Sequence, residues 1–321
     1  MDDNRYLSIV IPLYNAGEFF CSCIDTLLKT EGIEDTEIII VDDGSDDGSG
    51  EAAERYASSH DNITVIHSEN KGPSAARNTG LQKASGRYVF FCDADDLVVP
   101  DRFAEMIKAA RTEECDVILW DADLIDSNGD ISEENDRGYF AHRGLPKEEK
   151  NYSGKELIGT MLKNSGDFAA TIWLSAYRKD YLTDNGFLFE EGLIHEDELW
   201  VPKVLLKAEN IRYIPGVVYL YRIHPDSIMN PVSEDREHSV RSMMEIYPSL
   251  YSYYDSGIED DKLRDMLKTN LTQRYLHYIF RYRFWRYGYG KQIEKKTLWK
   301  TSKRISDKIR VIILYVITAV R

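Results

Sequence analysis

Phe90-Phe91-Cys92-Asp93-Ala94-Asp95-Asp96-Leu97 runs a short apolar stretch into three carboxylates. With Tyr88 and Val89 in front of it, the stretch reads as a buried strand that ends in acids. Acids crowded at one point repel each other unless a cation sits among them. Spaced carboxylate oxygens are ligands for hard divalent metals, and such a metal in turn holds phosphates. A local reading is also open: Asp95 or Asp96 would cap a helix beginning near Pro100, where the helix dipole favours acids.

The preceding residues decide between these readings. Ser8 to Ile11 is a short apolar strand, and Asn15-Ala16-Gly17-Glu18 has the form of a capping box, with Asn15 at the cap. Phe19, Phe20, Cys23, Ile24, Leu27 and Leu28 then recur at helical spacing. Glu37 to Val41 is a second strand ending at Asp42-Asp43-Gly44-Ser45, and a helix is expected over Gly48 to Ser58. Thr64 to Ile66 is a third strand, Pro73 to Ala84 a third helix with proline in its first turn, and Tyr88 to Cys92 the fourth strand. Alternating strands and helices imply an α/β, doubly wound, mainly parallel sheet whose ligands lie beyond the carboxyl ends of the strands. Pro12 and Tyr14, Asp42 and Asp43, and Asp93 and Asp95 therefore reach one edge.

At this point SIVIPLYNAGEFF (8–20), IIIVDDGSDDGS (38–49), NKGPSAARNTGLQKASGRYVFFCDADD (70–96) and HEDELW (195–200) together resemble the family 2 glycosyltransferases. Four motifs in order are far more specific than any one of them. The resemblance covers about residues 6 to 230. It implies the GT-A fold, a Rossmann-like doubly wound mixed sheet, and inverting, metal-dependent transfer from a nucleotide sugar. By the same resemblance Asp95 binds the divalent metal (Mn2+ or Mg2+) directly, and Asp93 assists through ribose, a water or the metal. Asp96 is left to cap the next helix, Asp43 accepts the imide N–H of uracil, and Tyr14 stacks on the base. Pro12, Glu18 and Lys71 fall in these motifs and are counted with the nucleotide-sugar site, as is Arg77.

Local alternatives stand beside these roles. An Asx turn suits Asp42-Asp43-Gly44-Ser45, and Arg77 would pair with Asp42 or Asp93 without touching a ligand. Val217 to His224 alternates as a strand, which puts Arg222 and His224 on one face. Relatives carry Y-R-x-[RH]-x-x-S here, near the diphosphate or metal, so Arg222 joins the donor site and His224 the metal ligands. The competing reading is an exposed edge strand.

Inversion by direct displacement needs a carboxylate to take the proton of the attacking hydroxyl. Matching His195-Glu196-Asp197-Glu198-Leu199-Trp200 to the family's E-D motif makes Asp197 that base, with Glu196 second and no role for His195. The plain alternative is an acidic helix N-terminus. Trp173 is either an aromatic of the acceptor cleft or a core residue. The polar connection from Asp121 to Tyr152, with His142-Arg143, is long enough to suggest acceptor recognition.

Net charge is −15, yet residues 274–321 hold 13 Lys and Arg against two acids, which leaves −26 on the rest. An acidic body disfavours nucleic acid as a partner, and the basic tail points to an anionic surface. Leu271, Tyr275, Tyr278, Tyr282, Trp285 and Tyr289 recur at steps of four and three. They predict one amphipathic helical face, either lying in a membrane interface or packed on the catalytic domain or on a second copy. Residues 311–320 are mainly apolar but only half the ~20 needed to cross a bilayer. A chain cut near Leu271 is therefore expected to keep its donor site.

Four cysteines without a zinc spacing or a disulfide framework predict reduced thiols, and with no signal peptide apparent they favour the cytoplasm or the inner face of the membrane. The expected organisation is a catalytic domain over 1–235, with a nucleotide-sugar half (1–120) and an acceptor half (121–235), followed by a helical region over 236–321. The expected activity is hexosyl or N-acetylhexosaminyl transfer, most simply from a UDP-sugar, to a glycan or lipid-linked acceptor, in capsule, exopolysaccharide or cell-wall glycan synthesis. Two rival functions fit the sequence less well. A sugar nucleotidyltransferase needs a glycine-rich basic loop where Pro12-Leu13-Tyr14-Asn15-Ala16 stands, and a non-catalytic nucleotide-sugar binder or membrane scaffold has no use for a base at Asp197.

Overall fold

A computed structural model describes residues 5–132, 144–224 and 233–319. His142 and Arg143 lie outside the described residues. The first half alternates as expected: β1 (Leu7–Leu13), α1 (Gly17–Leu28), β2 (Glu37–Asp42), α2 (Ser49–Ser59), β3 (Ile63–His67), α3 (Pro73–Lys83) and β4 (Tyr88–Phe91). Both faces of β2 and β4 are buried, as the unbroken apolar runs require. A Cβ at Gly80 would collide with the Val10 side chain, so this glycine lets α3 press onto β1.

The second half departs from simple alternation. After β4 come β5 (Leu97–Val98), α4 (Pro100–Thr112), β6 (Val117–Ile125), β7 (Lys150–Tyr152) and α5 (Gly154–Asn164). Then follow β8 (Ser175–Arg178), α6 (Lys179–Asp184), α7 (Asp197–Lys207) and β9 (Ile211–Arg222). The strand order is β3-β2-β1-β4-β8-β6-β9-β5, with β7 also on β9. β1, β2, β3 and β4 are parallel, whereas β8 runs antiparallel to both β4 and β6, so the sheet is mixed. β9 lies between β6 and β5, which rules out the reading of this segment as an exposed edge strand. The acids of residues 93–96 thus occupy a short crossing from β4, in mid-sheet, to β5 at its rim.

Four further helices complete the described chain: α8 (Ser233–Gly257), α9 (Asp261–Tyr282), α10 (Lys295–Thr301) and α11 (Ile305–Ala319). α9 packs on α8 and α5, and α8 on α7, so the apolar core runs from the sheet into this region. The tail expectation needs correction here. Leu271, Tyr275 and Tyr282 are buried in that core, and α9 ends at Tyr282 because Arg283 turns left-handed at φ +53°. Trp285 and Tyr289 belong to two separate 3-10 turns beyond it, so the six residues do not form one helical face. Glycines 288 and 290 were the local signal against a continuous helix. Among the described residues, no helix is long and apolar enough to cross a membrane.

Candidate active site

The loops after β1 and β2 are latched together. Asn15 sits at φ +47° and exchanges two side-chain hydrogen bonds of 2.9 Å with Asp46, to its carboxylate and from its backbone N–H. The N–H of Gly17 donates to Asp47 Oδ2 and Ser49 Oγ. α1 is therefore capped from the neighbouring loop, and the expected capping box from Asn15 to Glu18 is absent. Glu18 is exposed in the first turn of α1, Pro12 half-buried in β1, and Tyr14 just beyond it is 53% exposed.

Asp42 makes the Asx turn, accepting from the N–H of Ser45 at 3.0 Å and contacting His67 Nδ1 at 2.8 Å. Asp43 looks the other way: its carboxylate accepts from the N–H groups of Lys71 (2.9 Å) and Gly72 (2.7 Å) and from Ser68 Oγ. Gly72 has φ 89° and ψ 168°, a conformation open to glycine alone. That geometry turns its N–H onto Asp43 at the start of α3. The Lys71 side chain is exposed.

Arg77, on α3, is buried and forks between two loops. Nη2 donates to Asp93 Oδ1 at 2.7 Å, and Nη1 pairs with Glu196. Burial opposes its charge, but Asp93 and Glu196 outweigh it and hold the guanidinium protonated. Asp93 titrates above the ordinary carboxylate range through burial, with Arg77 opposing and Asp95 adding to the shift.

Asp96 does not cap the next helix, whose N-cap is Val99 with no side-chain hydrogen bond. Asp96 is fully buried and accepts from Tyr219 Oη and the N–H of Arg222, both at 2.7 Å. Tyr219 Oη also accepts from the N–H of Asp93, so one tyrosine on β9 braces both ends of the acid loop. Burial first, then Asp95 and Asp93, push the Asp96 carboxyl well above its usual range. The Arg222 guanidinium is buried too, donating to the carbonyls of Asp95, Asp126 and Ser127 and lying over the Phe19 ring. Trp173 is a core residue stacked on Tyr219 and Tyr221.

Asp95 is partly open, and its Oδ2 lies 2.9 Å from His224 Nε2. Among the described residues no group of three or more His, Cys, Asp or Glu forms a ready cage for an ion. A carboxylate and an imidazole, with Asp93 nearby on the same loop, still suit a divalent ion whose other ligands are phosphate and water oxygens.

Opposite lies the turn before α7. His195 is buried at φ +65°, and burial lowers its pKa. Glu196, the second candidate for the base, is held by Arg77. Glu198 is buried and pairs with Arg274 of α9, which also donates to the carbonyl of Phe168 at 3.2 Å. Tyr278 reaches the same Glu198 oxygen at 3.4 Å. Asp197, the first residue of α7, accepts from the N–H of Glu198 and has no ion-pair partner among the described residues. Burial, then Glu196 and Glu198, raise its carboxyl well above the ordinary range, with Arg77 opposing.

The motifs that the sequence separates by a hundred residues thus meet around one buried arginine. A profile of the family described as Glycosyl transferase family 2 matches residues 8–184. The chain belongs to glycosyl transferase family 2. Within this family it is 32% identical to the uncharacterized glycosyltransferase YibD of Escherichia coli K12, over 71% of its own length and 64% of that relative. It therefore spans about two thirds of the length of that protein. In fold it is similar to Staphylococcus aureus TarS 1–349 in complex with UDP-GlcNAc, with a TM-score of 0.64 at 20% identity over 96% of this chain and 79% of that one. It is also similar to the mannosyltransferase PcManGT of Pyrobaculum calidifontis in complex with GDP-Man and Mn2+, with a TM-score of 0.56 at 15% identity over 98% and 87% of the two chains. The GT-A architecture expected from the family 2 motifs is the one observed.

The residues missed from the sequence are Tyr219, which braces the acid loop, Arg274 and Tyr278, which hold Glu198, and Asp47 with Ser49, which cap α1. None of these pairings leaves a periodic or spacing signal, because each joins separate elements.

Proposed function

We propose that this chain is an inverting glycosyltransferase that moves a hexose or N-acetylhexosamine from a nucleotide sugar, UDP-linked, to a hydroxyl of a glycan or lipid-linked acceptor in cell-surface glycan synthesis. Residues 1–120 would handle the donor and 121–235 the acceptor. The observation that carries this reading is Arg77, which ties Asp93 of the acid loop to Glu196, next to the unpaired Asp197.

In this reading Tyr14 offers its exposed ring to the base, and Asp43, oriented by the Lys71 and Gly72 N–H groups, accepts from the uracil imide. A carboxylate there rejects bases that lack the donor. The neighbour that holds GDP-Man has the same fold, so base choice would rest on such side chains and not on the architecture. Asp95 and His224, with Asp93, would hold a Mn2+ or Mg2+ ion, which when bound neutralises charge on the leaving diphosphate. Arg77 keeps Glu196 from ionic contact with the acceptor. Asp197, with its proton affinity raised by burial and by its two acidic neighbours, removes the acceptor hydroxyl proton as that oxygen attacks.

The test is a panel of nucleotide sugars assayed for metal-dependent hydrolysis and transfer, with the Asp197→Asn variant beside the parent. Stimulated turnover with a UDP-sugar, lost in the variant while donor affinity stays, is the expected result. Donor binding without turnover in the parent, with any acceptor supplied, would instead mark a nucleotide-sugar binder.

A further inference from the structure

α11 has two apolar faces, and only one is covered. Val311, Leu314 and Thr318 face the protein with the buried Asp307. Ile305, Ile309, Ile312, Ile313 and Val316 fall on the opposite side of the helix, a second stripe at spacings of four, three, one and three. Their exposures range from 41 to 78%, too contiguous a set for scattered surface residues. Lys308 and Arg310 flank the stripe. Beside them Trp299 of α10, 42% exposed, carries the Lys308 ammonium 5.3 Å above its ring.

We propose that this face of α11 docks on an anionic lipid bilayer, with the stripe immersed and the basic residues at headgroup level. The charge pattern selects this occupant. Residues 295–310 carry seven Lys and Arg against a single acid, Asp307, which is buried beneath the helix. Pairing two such stripes from two copies would bring Lys308 and Arg310 of both into one place, whereas a bilayer of negative headgroups receives them favourably. The described α11 covers about 22 Å, and its Val311, Leu314 and Thr318 face packs on the protein, so its exposed face lies in the interface plane. The surface is thus distinct from the aromatic face of α9, which is buried. The inference does not depend on the donor reading, because every residue placed at that site precedes Pro225.

The test is co-sedimentation of the full chain with vesicles of equal parts phosphatidylcholine and phosphatidylglycerol, against phosphatidylcholine alone. Binding to the anionic vesicles is expected, weakening as salt rises. Ile309→Glu with Ile313→Glu should lower the partition at least about tenfold. Lys300→Gln and Lys308→Gln should each lower it about fivefold. Circular dichroism serves as the check on folding, and if the glutamate pair unfolds the chain, Ile309→Ser with Ile313→Ser replaces it. Absence of vesicle binding by the parent, or binding untouched by these changes, overturns the proposal. So does a dimer in light scattering that the isoleucine variants dissociate, since the stripe would then belong to a second copy.

Discussion

Two clusters of three acids face each other across Arg77, and they are treated differently. In the loop after β4 every acid is engaged: Asp93 by Arg77, Asp95 by His224, and Asp96 by Tyr219 and the Arg222 backbone. In the turn before α7 the outer two are held, Glu196 by Arg77 and Glu198 by Arg274, and the middle one, Asp197, has no ion-pair partner among the described residues. The first arrangement suits acids that must stay placed, as ligands or as supports. The second isolates one carboxylate between two like charges and raises its proton affinity. The acid left without a cation is thus the one suited to proton transfer.

The largest expected effect is at Asp95. Asp95→Ala should reduce metal-dependent transfer to the background seen in excess chelator, with an unchanged melting curve. Full activity in that variant would detach the donor cluster from metal binding. Next comes Asp197→Asn, for which turnover should fall by about 10²–10⁴ at unchanged donor affinity.

The same variant tests the electrostatics. The folded-state pKa of Asp197 is raised, so its contribution to stability is present at low pH and is lost as pH rises through that pKa. Asparagine cannot ionise, and the variant should therefore melt at a higher temperature than the parent in alkaline buffer and lose that advantage in acid. The acid limb of kcat/KM in the parent should likewise lie above the ordinary carboxylate range. A melting difference independent of pH would mean that Asp197 is not the strained member of its cluster.

Smaller effects separate the outer acids. Arg274→Met leaves Glu198 buried without its cation and should cost about 3–5 kcal/mol, part of it regained when Glu198→Gln is added. A chain cut near Leu271 removes Arg274 together with Tyr275, Leu276 and Ile279 of the core, so the ground for expecting it to keep an intact donor site is gone. Tyr278→Phe, which gives up the 3.4 Å hydrogen bond to Glu198, should cost about 0.5–1 kcal/mol. If it cost as much as Arg274→Met, Glu198 would be held by its hydrogen bonds and not by charge.

What could be read from the sequence was local. β1 to β4 and α1 to α3 appear within about two residues of their expected places, because unbroken apolar runs, Pro73 and the glycine turns mark them in the chain itself. Asp43, Asp93 and Asp95 follow the ends of β2 and β4, which places them at one edge of the sheet, and Asp197 opens α7, whose turn meets the acid loop through Arg77. The cap expected of Asp96 fails because its partners, Tyr219 and Arg222, lie on a strand more than a hundred residues away. The capping box expected at Asn15 fails for a similar reason: Asp47 and Ser49 cap α1 from another loop. In the tail, helical spacing continued past Tyr282 although the helix did not, and buried contacts with α5 and α8 overrode an apparent surface pattern.

The Arg77 to Glu196 pair spans 119 positions, and the bonds to Asp96 span 123 and 126. At roughly 5–20 residues per second of synthesis, Glu196 follows Arg77 from the ribosome about 6–24 s later. For that interval the nascent amino-terminal half lacks Glu196, the second partner of its Arg77, and Tyr219 and Arg222, which brace its Asp96. If the donor is held as proposed, competence to hold it is acquired late in translation, when α7 and β9 emerge.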